Sequence, residues 1–221
     1  MSDRSGAVQE VLVDAAGEQL AGFLALPEGS GALVLFAHGS GSSRFSPRNN
    51  SVAARLNDAG IGTLLFDLLT AEEHRVDEFT REYRFDIDLL ARRLLAALDW
   101  VAAEPATARL NLGLFGSSTG AAAALIAAAR RPQLVKAVVS RGGRPDLAGD
   151  ELPCVRAPTL LIVGGEDHQV IELNRAAAAR MHCAPQLQIV PGATHLFEEP
   201  GTLDVVVDLA IDWFRRYLRD A

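Results

Sequence analysis

Leu114-Phe115-Gly116-Ser117-Ser118-Thr119-Gly120-Ala121 carries a dense apolar run into a Gly-x-Ser-x-Gly turn and then into a run of alanines. An apolar run of this length reads as a buried strand, and the alanines as a short helix, so Ser118 sits where a strand ends and a helix begins. A sharp turn there needs small residues two before and two after the serine, which Gly116 and Gly120 supply. The helix start also places free backbone amides beside the hydroxyl. Ser118 is therefore the candidate nucleophile, and the Thr119 amide a candidate oxyanion donor. The alternative is a serine that only caps the next helix.

Three further stretches fit the same chemistry. After the run Thr159-Leu160-Leu161-Ile162-Val163 comes Gly164-Gly165-Glu166-Asp167, which puts acids at the carboxyl end of a strand, the edge where open α/β sheets assemble their sites. Asp167 is the candidate acid and Glu166 a weaker one; the competing role for Asp167 is to cap the helix that follows. After the strand Gln186–Val190, the loop Pro191-Gly192-Ala193-Thr194-His195 offers an imidazole that can take and return a proton near neutral pH. The chain order Ser118, Asp167, His195 is that of α/β-hydrolases rather than of the other triad folds. Upstream, His38-Gly39-Ser40-Gly41-Ser42-Ser43 follows another apolar run, and its glycines let the Ser40 amide serve as the second oxyanion donor. His38 is read as a support for that loop.

The rest of the chain sets these loops in order. Alternation through Val8–Val13 and Gln19–Leu26 predicts an antiparallel hairpin about Gly17 that forms one edge of a sheet. Unalternating runs at Ala32–Ala37, Ile61–Phe66, Leu110–Phe115, Val135–Val139 and Thr159–Val163 suit strands buried on both faces. Helices are expected from Ser46-Pro47 to Gly60, through Ile87–Val101, over Ala121–Arg131, from about Val170 to His182 and from about Leu203 to Leu218. Strands alternating with helices imply a mostly parallel sheet covered on both faces, within one domain over residues 1–221.

Composition narrows the function. A net charge of −7 argues against nucleic-acid and acidic-membrane surfaces, and no apolar run reaches the roughly 20 residues of a bilayer crossing. Residues 1–10 lack the apolar segment of a secretory leader, so a cytoplasmic protein is expected. Cys154 and Cys183 lack CxxC spacing and suggest neither a metal cage nor a disulfide framework. No GxGxxG or GxxxxGK pattern accompanies the glycine clusters, which speaks against dinucleotide and P-loop sites.

The elbow at Ser118, the acid after Val163-Gly164-Gly165, the histidine in Gly192-Ala193-Thr194-His195 and the HGSG loop together resemble the α/β-hydrolase superfamily, in particular its small dienelactone-hydrolase-like members. The resemblance covers about Ala32 to Leu218. It implies a sheet of eight or nearly eight strands and esterase-type chemistry on small carboxylic esters, thioesters or lactones, with no metal or organic cofactor. Dienelactone hydrolases proper carry cysteine where this elbow has serine. The same triad can pass an acyl group to an alcohol, a thiol or peroxide; the rival from another class is a noncatalytic ligand-binding protein of the same fold. Only Ser140–Ala157 separates two central strands, which leaves no room for a helical cap domain and predicts an open, shallow site. Arg44, Arg48, Arg141 and Arg144 follow strands and are candidates for binding a carboxylate or phosphate on the substrate, with Arg141 and Arg144 the stronger pair. The expected partner is a small-molecule ester, and the expected state a monomer or homodimer.

Overall fold

The computed structural model describes residues 7–15 and 17–219. Eight strands form one sheet: β1 (Val8–Ala15), β2 (Glu18–Ala25), β3 (Ala32–Ala37), β4 (Gly62–Phe66), β5 (Asn111–Ser117), β6 (Val135–Arg141), β7 (Thr159–Gly164) and β8 (Gln186–Val190). Their order across the sheet is β1-β2-β4-β3-β5-β6-β7-β8. The hairpin β1–β2 lies at one edge as expected; β2 runs antiparallel to β4, and every later pairing is parallel.

The unalternating runs are explained by β3. All six of its residues are buried, with Leu33, Leu35 and Ala37 in one apolar cluster and Val34 and Phe36 in the other. Successive side chains of a strand point to opposite faces, so a strand with a core on each side must be apolar at every position. α1 (Pro47–Asp58) closes one face, and α3 (Ile87–Ala103) and α4 (Thr119–Arg130) close the other. α5 (His168–Ala178) packs beside β7, and α6 (Thr202–Tyr217) joins α1 on the first face.

α1 begins as the sequence predicts: Ser46 Oγ accepts from the Asn49 amide at 3.3 Å and Pro47 takes the first helical position. One helix lies outside the apolar pattern. α2 (Ala71–Thr80) buries only Asp77 and so lacks an apolar stripe, yet it opens with a capping box in which Thr70 and Glu73 bond each other's backbone amides. α4 starts at Thr119, two residues before its expected start, because Ser118 itself is the residue that precedes the helix. α5 ends at Ala178 rather than His182, the last residues tightening into turns.

Between β6 and β7 lies a 3-10 stretch, Pro145–Cys154, that packs on α4 and α5. No described helix is long and apolar enough to cross a membrane. Of the segment read for a leader, residues 1–6 lie outside the described residues.

Candidate active site

The carboxyl ends of five strands bring the predicted loops to one edge. Ser118 follows β5 with φ 49° and ψ −121°, a left-handed conformation that costs a non-glycine residue about 1–3 kcal/mol. The turn persists because its surroundings fix it. The Ser118 amide donates to Arg141 O at 3.3 Å, and its carbonyl accepts from the amides of Ala121 and Arg144 at 3.1 and 3.0 Å. The flanking glycines are required by contact: a Cβ on Gly120 would lie 2.1 Å from Ala37 O, and one on Gly116 would lie 2.5 Å from Ala121 Cα. Backbones approach here more closely than any side chain allows.

Asp167 precedes α5, but its carboxylate makes no capping bond to that helix. It accepts instead from His195 Nδ1, at 2.6 Å. Its neighbour Glu166 is exposed, and among the described residues it makes no hydrogen bond to the imidazole. The loop carrying His195 is pinned one residue earlier: the Thr194 hydroxyl and amide donate to the two Glu199 oxygens at 2.5 and 3.1 Å. The Thr194 hydroxyl is the main reason the Glu199 carboxyl lies below the usual carboxylate range.

With Nδ1 bonded to the acid, Nε2 is the atom left to exchange a proton. Ser118 and His195 line the same cavity, of about 240 Å³. Among the described residues, the Ser118 hydroxyl makes no hydrogen bond to the ring. Such contacts commonly tighten only when substrate binds.

The loop after β3 forms the facing wall, with Gly39 and Ser40 on the cavity. Among the described residues the Ser40 amide donates to no backbone group, and Thr119, first in α4, has no acceptor within its helix. Of the two residues, Ser40 lines the cavity. His38 holds this loop to the next one. The Leu68 amide can only donate, so the His38 Nε2 it meets at 3.0 Å accepts, and Nδ1–H donates to Gly39 O at 3.0 Å. Burial lowers the His38 pKa and favours this neutral form.

The arginines separate cleanly. Arg144 binds Asp146 through two nitrogens, at 2.9 and 2.8 Å, and does not line the cavity; its backbone rather than its side chain serves Ser118. Arg44 is ion-paired with Asp67, which also accepts its amide at 2.7 Å, and its guanidinium lies 5.2 and 4.2 Å from the Phe23 and Phe45 ring centres. It too lies outside the cavity. In each, a nearby carboxylate already engages the guanidinium. Arg141 and Arg48 do line the cavity. Among the described residues, no group of three or more histidine, cysteine, aspartate or glutamate side chains converges as a metal site would need.

The family model of the dienelactone hydrolase family matches residues 20–214. The chain belongs to the dienelactone hydrolase family. A dienelactone hydrolase from Anabaena variabilis is 55% identical, superimposes with a TM-score of 0.96, and is covered in full by 98% of this chain. Est1E from Butyrivibrio proteoclasticus, 17% identical with a TM-score of 0.78 over 94% of this chain and 98% of its own, shares the fold. A Mycobacterium tuberculosis protein (strain H37Rv) that carries the provisional name phosphoribosyl transferase is 58% identical over 210 residues, or 95% of this chain. Those residues make up 46% of that relative, so the chain spans about half the length of the curated relatives it matches. Membership of the dienelactone hydrolase family supports a hydrolase.

Proposed function

We propose that this hydrolase cleaves small carboxylic esters, thioesters or lactones through an acyl-enzyme on Ser118. One observation carries the reading: Asp167 is withheld from capping its own helix and bonds His195, which shares a cavity with a strained, turn-held Ser118. His195 Nε2 takes the Ser118 proton as the hydroxyl attacks the carbonyl, Asp167 orients the imidazole and stabilises its charged form, and the Ser40 and Thr119 amides receive the oxyanion. His195 returns the proton to the leaving alcohol. Water, activated by the same imidazole, then releases the acid and restores the serine.

The name phosphoribosyl transferase belongs to relatives of about twice this length, whereas the 55%-identical hydrolase is matched end to end, and hydrolysis is the reading adopted. The substrate is a free small molecule that needs neither nucleic acid nor membrane, and the protein acts as a monomer or homodimer. Both cysteines are free thiols, which suits the reducing cytoplasm. The test is a fluorophosphonate probe followed by peptide mass mapping. Adduct on Ser118 in folded protein, lost in Ser118→Ala, is expected; an unlabelled Ser118 would refute the mechanism. Product analysis with competing alcohol, thiol and peroxide acceptors separates hydrolysis from acyl transfer.

A further inference from the structure

Arg141, at the end of β6, is only 6% exposed. Among the described residues no carboxylate pairs with it. Its single side-chain bond is a long one, Nη2 to Asn49 Oδ1 at 3.3 Å, and its Nε is buried without a partner. A buried guanidinium with one neutral acceptor is expensive to keep charged. Burial, and after it the charge of Arg48, lowers its pKa to about 10.

Arg48 stands beside it and, unlike it, has a carboxylate partner, although an exposed one. Its Nη1 reaches Glu198 at 3.0 Å, where the glutamate side chain is 63% exposed, and its Nε is buried without a partner. Arg48 is the second residue of α1, and the first turn of that helix contains no acidic residue, so its positive end is not neutralised from within. Asn49 ties the two features together: its Oδ1 accepts from Arg141 and also from Ser117 Oγ at 3.2 Å, next to the nucleophile.

We infer that Arg141, Arg48 and the N-terminus of α1 form a subsite for a phosphate group carried by the substrate on the part that does not react. The inference rests on the ester-hydrolase reading. The donors come from the Arg141 side chain at a strand end, the Arg48 side chain and amide at a helix start where Pro47 has no N–H and Ser46 holds the Asn49 amide, and the hydroxyls of Ser42 and Ser46, which also line the cavity. Donors arriving from several directions suit a tetrahedral group with three free oxygens. A planar carboxylate is satisfied by the fork of one arginine, as Arg144 with Asp146 illustrates. Two adjacent cations and a helix N-terminus likewise suit a dianion.

The experiment uses a set of esters with one acyl group, whose alcohol part ends in a phosphate, a carboxylate or a neutral hydroxyl. The phosphate ester should be preferred over the neutral one by about tenfold to a hundredfold in kcat/KM, the size of one or two charge-assisted contacts. Arg141→Met and Arg48→Gln should each remove most of that ratio. Arg48→Gln, at a less buried position, keeps the test valid if Arg141→Met fails to fold. Calorimetry with inorganic phosphate should show binding that Arg48→Gln weakens. A carboxylate ester favoured as strongly as the phosphate one, ratios unmoved by both variants, or no phosphate binding would each overturn the subsite. Probe labelling of Ser118 distinguishes the two failures: labelled protein without phosphate preference refutes the subsite alone, while unlabelled protein refutes the hydrolase reading.

Discussion

His195 Nδ1 lies 2.6 Å from Asp167 Oδ2, a contact that joins the loop after β8 to the loop after β7. The bond fixes which imidazole nitrogen carries the proton. Asp167→Asn can present its amide N–H to Nδ1 and so select the wrong tautomer while leaving the cavity intact. The expected result is a loss of about 10³- to 10⁴-fold in kcat on an aryl ester, with little change in KM. Steady-state kinetics over a range of ester concentrations reads both.

Gly120 faces the Ala37 carbonyl so closely that a methyl group would stand 2.1 Å from its oxygen. Neither strand nor helix can retreat without disturbing the sheet, so Gly120→Ala should destabilise the fold by at least about 3 kcal/mol. Gly149 is the control. Its φ is positive, at 54°, but no atom lies within 4 Å of the place a methyl would take, so alanine there should cost only backbone strain, about 1–3 kcal/mol as at Ser118, with no clash added. Urea midpoints of the two variants should differ accordingly.

His38 links pH to the oxyanion loop. Its ordinary pKa is 6.5, and burial holds the folded value lower, although Asp67 nearby partly opposes the shift. In the interval between the two values the unfolded chain binds a proton that the folded chain does not. The stabilisation is therefore complete above pH 6.5 and declines as pH falls through that interval. His38→Gln, which can still bond both loops but does not titrate, should flatten this part of the stability profile. Denaturation midpoints measured at stepped pH are the check.

Arg44 provides a contrast to the cavity arginines. Packed against the touching pair Phe23 and Phe45 and paired with Asp67, it should lower stability by about 1–2 kcal/mol when changed to alanine. The ratio of rates on phosphorylated and neutral esters should stay as it is. A changed ratio would bring Arg44 back into substrate recognition.

Much of this architecture was legible because its causes are local. The unbroken apolar runs that became β3 to β7 could only belong to strands with a core on each side, and the glycines about Ser118 marked a turn too tight for side chains. Asp167 was harder to read, since a residue that caps a helix and one that orients a histidine look alike until the fold delivers the histidine. The arginines were harder still. Whether a guanidinium meets a carboxylate two residues along, as in Arg144 with Asp146, or across the loop after β4, as in Arg44 with Asp67, depends on loop paths that no periodicity encodes. α2 escaped notice because reading by apolar stripe cannot detect a helix that buries only Asp77; the pair Thr70 and Glu73, three apart, was the available signal.

The left-handed backbone at Ser118 sets evolution and engineering against each other. Glycine adopts that conformation without penalty, so the side chain that serves as nucleophile in the proposed chemistry stands at a position where losing it relaxes the chain. A library selected only for heat tolerance should therefore accumulate Ser118→Gly, trading the nucleophile for a sturdier but inert protein. Any campaign to harden this scaffold must screen for turnover at every round.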